Sequence, residues 1–307
     1  MQHITRRAML GAIGVTVGSG FVGNATARRG GAVDRVLSTG SPVPENIGFD
    51  DDGNLYVGIV AGSVRRLPAD RTDESGLGLD ATTEVATYPG GVAGVLVSDG
   101  TLYTAVNGES GGVYAVELDS DDGPNELATL LPDGEGFVND LYRDGDRLLA
   151  TESFGGTVYE IPLDGGDPGV WVQDPLLDTS SFGANGITRI GGCVYVAVTR
   201  AGDSGRIVRV PVNDDGSAGA PRTFAEGTEL FGADGLTARG RQLYAALNSQ
   251  NRIVRLTPSG EVKTVVEGDP LSFPSEVVFD PTEPGRAFVC NFSQENPERA
   301  GVLRTHP

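Results

Sequence analysis

An all-β fold is what this sequence predicts: a six-bladed β-propeller with four-stranded blades, its ring closed by an N-terminal strand that completes the last blade. Three observations predict it. One strand-and-turn pattern recurs six times along the chain, at a period of roughly 40–50 residues that belongs to propeller blades. Tight Gly-containing turns separate short apolar runs throughout, and helical periodicity is absent beyond the first residues. The last repeat lacks one strand, and a matching strand stands unclaimed near the start of the chain.

The elements follow in order within each repeat. An apolar strand leads into a reversal such as Asp52-Gly53, Asp99-Gly100 or Asp144-Gly145, and a β-rich run such as Leu55-Tyr56-Val57 follows. The third strand is typified by Thr157-Val158-Tyr159-Glu160-Ile161 and by Arg206-Ile207-Val208-Arg209-Val210. Fourth strands read Thr83-Glu84-Val85-Ala86-Thr87, Arg222-Thr223-Phe224 and Val262-Lys263-Thr264-Val265-Val266. The sixth repeat stops after its third strand, Gly301-Val302-Leu303-Arg304, and Val33-Asp34-Arg35-Val36-Leu37-Ser38 supplies the missing fourth. Pairing the two leaves no open sheet edge between first and last blades.

The first 27 residues read as a twin-arginine export signal: Thr5-Arg6-Arg7-Ala8-Met9-Leu10, a weakly apolar stretch to Val22, and a small-residue site at Ala25-Thr26-Ala27. Residues 28–307 are then one propeller domain, recognised by the twin-arginine export machinery and placed outside the cell or at its surface. No Cys stands directly after the signal to take a lipid anchor, and no apolar run reaches the roughly 20 residues that span a bilayer. The signal carries two Arg and no acid, so its removal takes the net charge from -19 to -21. Lys263 is the only lysine. Acids spread through every segment with almost no Lys suit a protein from a high-salt organism, where salt screens their repulsion. The same field excludes nucleic acid as a partner. Cys193 and Cys290 lie in strand-like runs of different repeats and read as two free thiols.

At the start of each first strand the six repeats place Glu45, Ala93, Asn139, Asn185, Asp234 and Ser275. First strands surround the channel of a propeller, so these six positions face one another at one mouth. Asn185-Gly186 and Asp234-Gly235 resemble hairpin turns, but their repeats already reverse further on, at Gly191-Gly192 and Gly240-Arg241. Glycine there permits close backbone approach near the crowded axis. Glu45, Asn185 and Asp234, with Asn139 beside them, offer only oxygen donors, which suits a hard divalent cation, calcium first, with magnesium, manganese or zinc as alternatives. The only histidines, His3 and His306, lie in the signal and at the C-terminus. A Ser-His-Asp triad and a His-ligated zinc site are thereby excluded.

With Pro44-Glu45, Asn139-Asp140, Ala184-Asn185-Gly186-Ile187 and Ala233-Asp234-Gly235-Leu236 in four different repeats, the chain resembles the senescence marker protein, gluconolactonase and luciferin-regenerating enzyme family of six-bladed propellers. The resemblance covers essentially all of residues 28–307. It implies that Glu45, Asn185 and Asp234 ligate the metal, that Asn139 contacts water or substrate, and that Asp234 doubles as general base. One departure stands out. Members acting on sugar lactones carry an Arg two residues before the Asn139 position, where this chain has Phe137. Phe182, Phe231 and Phe273 occupy the matching approaches of other repeats, where these rings either make the mouth more aromatic than an aldonolactone site or simply pack between blades. Glu152 and Asn248, with Asn107 and Asn291, are expected on the rim as further substrate contacts.

The leading functional reading is a metal-dependent hydrolase of a small-molecule lactone or related ester. The cation polarises the carbonyl and acidifies a bound water whose proton Asp234 accepts. Two others stand beside it, a non-catalytic ligand-binding propeller with a structural cation and a propeller lyase or synthase, because this fold hosts many chemistries.

Overall fold

The computed structural model describes residues 32–164 and 166–307; the predicted signal, residues 1–27, lies outside them. The described chain forms six antiparallel sheets of four strands each. Five are runs of consecutive strands, and the sixth joins Pro274–Phe279, Ala287–Asn291 and Gly301–Thr305 to the N-terminal strand Asp34–Ser38. That closure pairs Asp34 with Arg304, Arg35 with Leu303, Leu37 with Val302 and Ser38 with Gly301. Only short 3₁₀ turns interrupt the strands, and no described helix is long and apolar enough to cross a membrane.

The reversals use the predicted residues, because tight hairpin turns need positive φ. Gly53, Gly100, Gly145, Gly191 and Gly240 all adopt it, joined by Asp99 at φ 50°. The core is distributed between the blades. Leu149 and Val158 of the third blade meet Ile187, Val196 and Val208 of the fourth, and Tyr195 and Ile207 of the fourth meet Leu236 and Leu243 of the fifth. Cys193 and Cys290 are free thiols, the second fully buried.

The six innermost strands are Pro44–Phe49, Gly91–Ser98, Val138–Asp144, Ala184–Ile190, Ala233–Arg239 and Pro274–Phe279. Each touches the next, and the last touches the first, around the central axis. All six carry one extra residue against their hairpin partner at the same level. The register slips between Pro44 and Asn46, Val92 and Gly94, Val138 and Leu141, Ala184 and Ile187, Ala233 and Leu236, and Pro274 and Glu276. A bulge leaves its extra residue unpaired and re-aims the side chains there. Glu45, Ala93, Asn139, Asn185, Asp234 and Ser275 all sit in these bulges, as does the residue after each.

Neither Gly186 nor Gly235 adopts positive φ, so neither serves a turn. A Cβ on Gly186 would lie 2.4 Å from the Asp234 carbonyl oxygen, and one on Gly235 would lie 2.5 Å from the Glu276 carboxylate. Close approach at the axis is what these glycines supply.

Ring closure predicts a measurable dependence on one side chain. Leu37 is fully buried among Ile47, Leu55, Val57, Phe288 and Val302, which belong to the first and last blades. Leu37→Ala is expected to cost about 2–5 kcal/mol, read as a lower urea midpoint in high salt. A loss below about 0.5 kcal/mol, the range of ordinary surface substitutions, would mean that the N-terminal strand does not close the ring.

Candidate active site

Three strand-start residues are clamped in the same way by their own blades. Asn139 Nδ2 donates to Ser153 Oγ at 3.0 Å, Asn185 Nδ2 donates to Thr199 Oγ1 at 3.0 Å, and Asn248 Nδ2 donates to Asp234 Oδ2 at 2.8 Å. The clamping residue stands 14 positions later each time, which is the span of one hairpin. Ser153 Oγ donates onward to the Ala184 carbonyl of the next blade at 2.7 Å. Backbone bonds continue the belt: Ser153 to Phe137, Gly183 to Ser153, Thr199 to Gly183, Arg200 to Phe182, Gly232 to Thr199 and Asn248 to Gly232, each given as N–H to carbonyl. The third, fourth and fifth blades thus share one hydrogen-bonded rim beneath which Asn139, Asn185 and Asp234 are held.

Glu45 lies within charge range of Asp234, Glu276 and Asp140, and Asn185 stands close enough to Asp234 to oppose the rise of its pKa. The sixth blade contributes no acid at its strand start, where Ser275 Oγ donates to the Glu45 carbonyl at 2.5 Å. Ala93 is buried and inert.

One residue further along each bulge stands a second tier: Asn46, Gly94, Asp140, Gly186, Gly235 and Glu276. Asn46 Nδ2 spans Asp140 Oδ1 at 3.5 Å and Glu276 Oε2 at 3.4 Å. Asp140 Oδ2 accepts the Ile187 amide at 3.0 Å, and Glu276 Oε1 accepts the Val277 amide at 2.7 Å. Sequence reasoning missed this tier, along with Ser153 and Thr199. Its signal was the residue immediately after each aligned position, and the constant spacing of the clamps.

Four carboxylates therefore share the axis with no cationic side chain among the causes acting on them. Burial is the first cause of every shift. It raises Asp140 to about 6, against hydrogen bonds from Ile187, Leu141 and Asn46 that lower it. It raises Asp234 to about 7, against Asn248 and Asn185, with the Asp140 charge adding to the rise. Glu45 and Glu276 go well above the ordinary range, pushed by burial and then by the other acids.

No three His, Cys, Asp or Glu side chains among the described residues group so as to hold a metal ion. A cation at the mouth would draw on amide oxygens as well as acids. The donor set allows this. With the amide nitrogens of Asn139 and Asn185 committed to Ser153 and Thr199, their Oδ1 atoms remain as acceptors, beside the carboxylates of Glu45 and Asp234. Oxygen-only sets of this kind fit Ca²⁺ better than softer metals.

The expected rim contacts divide. Asn248 is in the site, bound to Asp234. Glu152 holds the loop of the third blade: its carboxylate accepts the amides of Phe137 at 3.0 Å, Phe154 at 2.8 Å and Gly155 at 2.5 Å. Asn107 clips the third blade through the Val138 amide and carbonyl, and Asn291 binds the backbone of Pro270, Ser272 and Arg299. Phe137 and Phe182 stand together at the rim with Phe154. Phe231 carries the Arg200 guanidinium 5.5 Å from its ring centre, and Phe273 packs into a small apolar cluster with Val43, Phe292 and Ala300.

No family model matches the chain, and no curated protein matches it by sequence. Solved structures do match. Regucalcin, a calcium-binding protein from Agrobacterium tumefaciens, aligns at TM-score 0.65 and 15% identity over 88% of this chain and 95% of its own. A gluconolactonase from Xanthomonas campestris gives 0.64 and 14% over 89% and 88%. The PQQ-bound aldose sugar dehydrogenase of Streptomyces coelicolor gives 0.66 and 13% over 91% and 98%. The chain is thus a six-bladed propeller whose structural neighbours include regucalcin and gluconolactonase, the kind of protein its sequence resembles. At these identities the likeness establishes the fold.

The buried acids make stability depend on pH in a defined direction. A carboxylate whose folded pKa is raised binds more protons folded than unfolded, so its stabilising effect is present below about pH 4 and is lost as pH rises through the folded value. Chelator-treated protein in constant high salt is expected to lose stability between about pH 4 and pH 7, the window set by Asp140 and Asp234. Asp140→Asn should make that fall shallower, by removing one buried acid and its charge from beside Glu45, Asp234 and Glu276. Urea midpoints with the same pH slope in both proteins would contradict the assigned burial.

Proposed function

We propose that the chain is a divalent-cation-dependent hydrolase acting on a lactone or related ester. One observation carries the reading: Asp234, a buried carboxylate held at Oδ2 by Asn248, faces Glu45 with the clamped amides of Asn139 and Asn185 alongside. A cation bound by Glu45, Asn185 and Asp234 would supply Lewis-acid polarisation of the carbonyl and lower the pKa of bound water.

The chain's own residues do the rest. Asn248 fixes the rotation of the Asp234 carboxylate, which accepts a proton from the attacking water. Asn139, with its nitrogen bound to Ser153, offers Oδ1 as an acceptor for the water's other proton and so aims the oxygen lone pair at the acyl carbon. As the acyl C–O bond breaks, the proton held by Asp234 passes to the departing ring oxygen. Lactone and water give a hydroxy acid. With no histidine among residues 4–305, the carboxylate is the base the site has. The regucalcin and gluconolactonase likeness supports this reading. We further propose that the twin-arginine segment carries the folded enzyme out of the cytoplasm to work in a saline exterior.

A pH-stat panel of lactones and esters in high salt, with Ca²⁺, Mn²⁺ and Mg²⁺ in turn, tests the proposal. Hydrolysis should vanish with chelator, return with a divalent cation, and fall by about 10²–10⁴ in Asp234→Ala. Turnover indifferent to chelator or to that substitution would rule out the mechanism. An absence of turnover on every member would favour a ligand-binding propeller.

A further inference from the structure

We infer that the substituent on the hydrolysed lactone or ester is apolar and of about the size of an aromatic ring, seated against a wall made by Phe137, Phe154 and Phe182. This rests on the hydrolytic reading for the reacting group and adds the substrate class.

The three rings meet one another at the rim. Centroids lie 6.0 Å apart for Phe137 and Phe182, 6.4 Å for Phe137 and Phe154, and 4.9 Å for Phe154 and Phe182. Inter-blade packing does not account for them. None belongs to the apolar clusters between blades, and each remains partly exposed. Phe273 provides the contrast, because it does join such a cluster.

Their placement ties them to the reacting centre. Phe137 stands two residues before Asn139 and Phe182 three before Asn185, while Phe154 follows Ser153, whose hydroxyl holds Asn139. Four backbone polar groups of this wall are already committed. Glu152 takes the amides of Phe137 and Phe154, and the carbonyls of Phe137 and Phe182 accept Ser153 N–H and Arg200 N–H. A sugar hydroxyl pressed against the three rings would give up water without gaining a partner from them. An aromatic substituent meets the opposite situation, since partly exposed aromatic rings favour a further ring at about 4.5–7 Å between centroids.

The test uses lactams, which have the lactone shape but resist hydrolysis, so that recognition is read apart from turnover. Calorimetric titration in high salt compares 5-phenylpyrrolidin-2-one, pyrrolidin-2-one and glucono-1,5-lactam, and 5-phenyl-γ-butyrolactone hydrolysis is followed in parallel. The phenyl lactam should bind about tenfold or more tighter than either other lactam, the scale on which one buried apolar group discriminates. Phe137→Arg and Phe182→Ala should bring that ratio toward one, and Phe182→Leu should keep most of it. Urea transitions in the same salt separate a lost wall from a lost fold. Tighter binding of glucono-1,5-lactam, no binding of any lactam, or a ratio unmoved in both Phe137→Arg and Phe182→Ala would overturn the inference. Phenyl-lactam preference without lactone turnover would remove the hydrolytic reading and leave the apolar recognition standing.

Discussion

One extra residue in each innermost strand decides what this molecule presents at its centre. Without the bulges, a period of two would send alternate side chains toward neighbouring blades, and only one residue per strand would reach the axis at this level. The six slips in register instead bring strand-start residues and their successors to the axis together. The ring must be closed for this to hold. Pairing of Asp34–Ser38 with Gly301–Thr305 completes the sixth blade, and that blade positions Ser275 and Glu276 against Glu45 and Asn46.

Six near-equivalent positions could have been filled alike, and the chemistry lies in their differences. In the third, fourth and fifth blades a Ser, Thr or Asn hangs from the end of the second strand and fixes the residue at the start of the first. In the first, second and sixth blades that clamp is missing. Glu45 has no such partner, and its charge is set by the acids facing it. The result is a lopsided mouth, ordered on the side of Asn139, Asn185 and Asp234, with a carboxylate projecting toward it from the first blade.

Electrostatics follows from the same geometry. Four acids in a channel without a facing cation are held at a cost in the metal-free chain, and burial shifts their titration upward. A divalent ion would reverse that balance by supplying the missing charge. The glycines opposite them follow from the crowding: Gly235 leaves room for the Glu276 carboxylate and Gly186 for the Asp234 backbone.

Much of this was legible in the sequence because propeller blades repeat. The recurring strand-and-turn pattern located the strands, the closing strand and all six strand-start residues. The second tier was not legible, since a strand with regular alternation would turn Asn46, Asp140 and Glu276 away from Glu45, Asn139 and Ser275, and a bulge leaves no fixed sequence mark. The loop-holding role of Glu152 was hidden for a related reason. A carboxylate at a turn looks the same in sequence whether it meets solvent or, as here, three backbone amides.

The central claim, that the bulges gather one cation-binding constellation at the mouth, is tested most directly by calcium titration of chelator-stripped protein followed by calorimetry in high salt. A single saturable site is expected in the native chain, and its loss in Glu45→Gln. Binding that survives Glu45→Gln undiminished, or an absence of binding for calcium, magnesium and manganese alike, would contradict it.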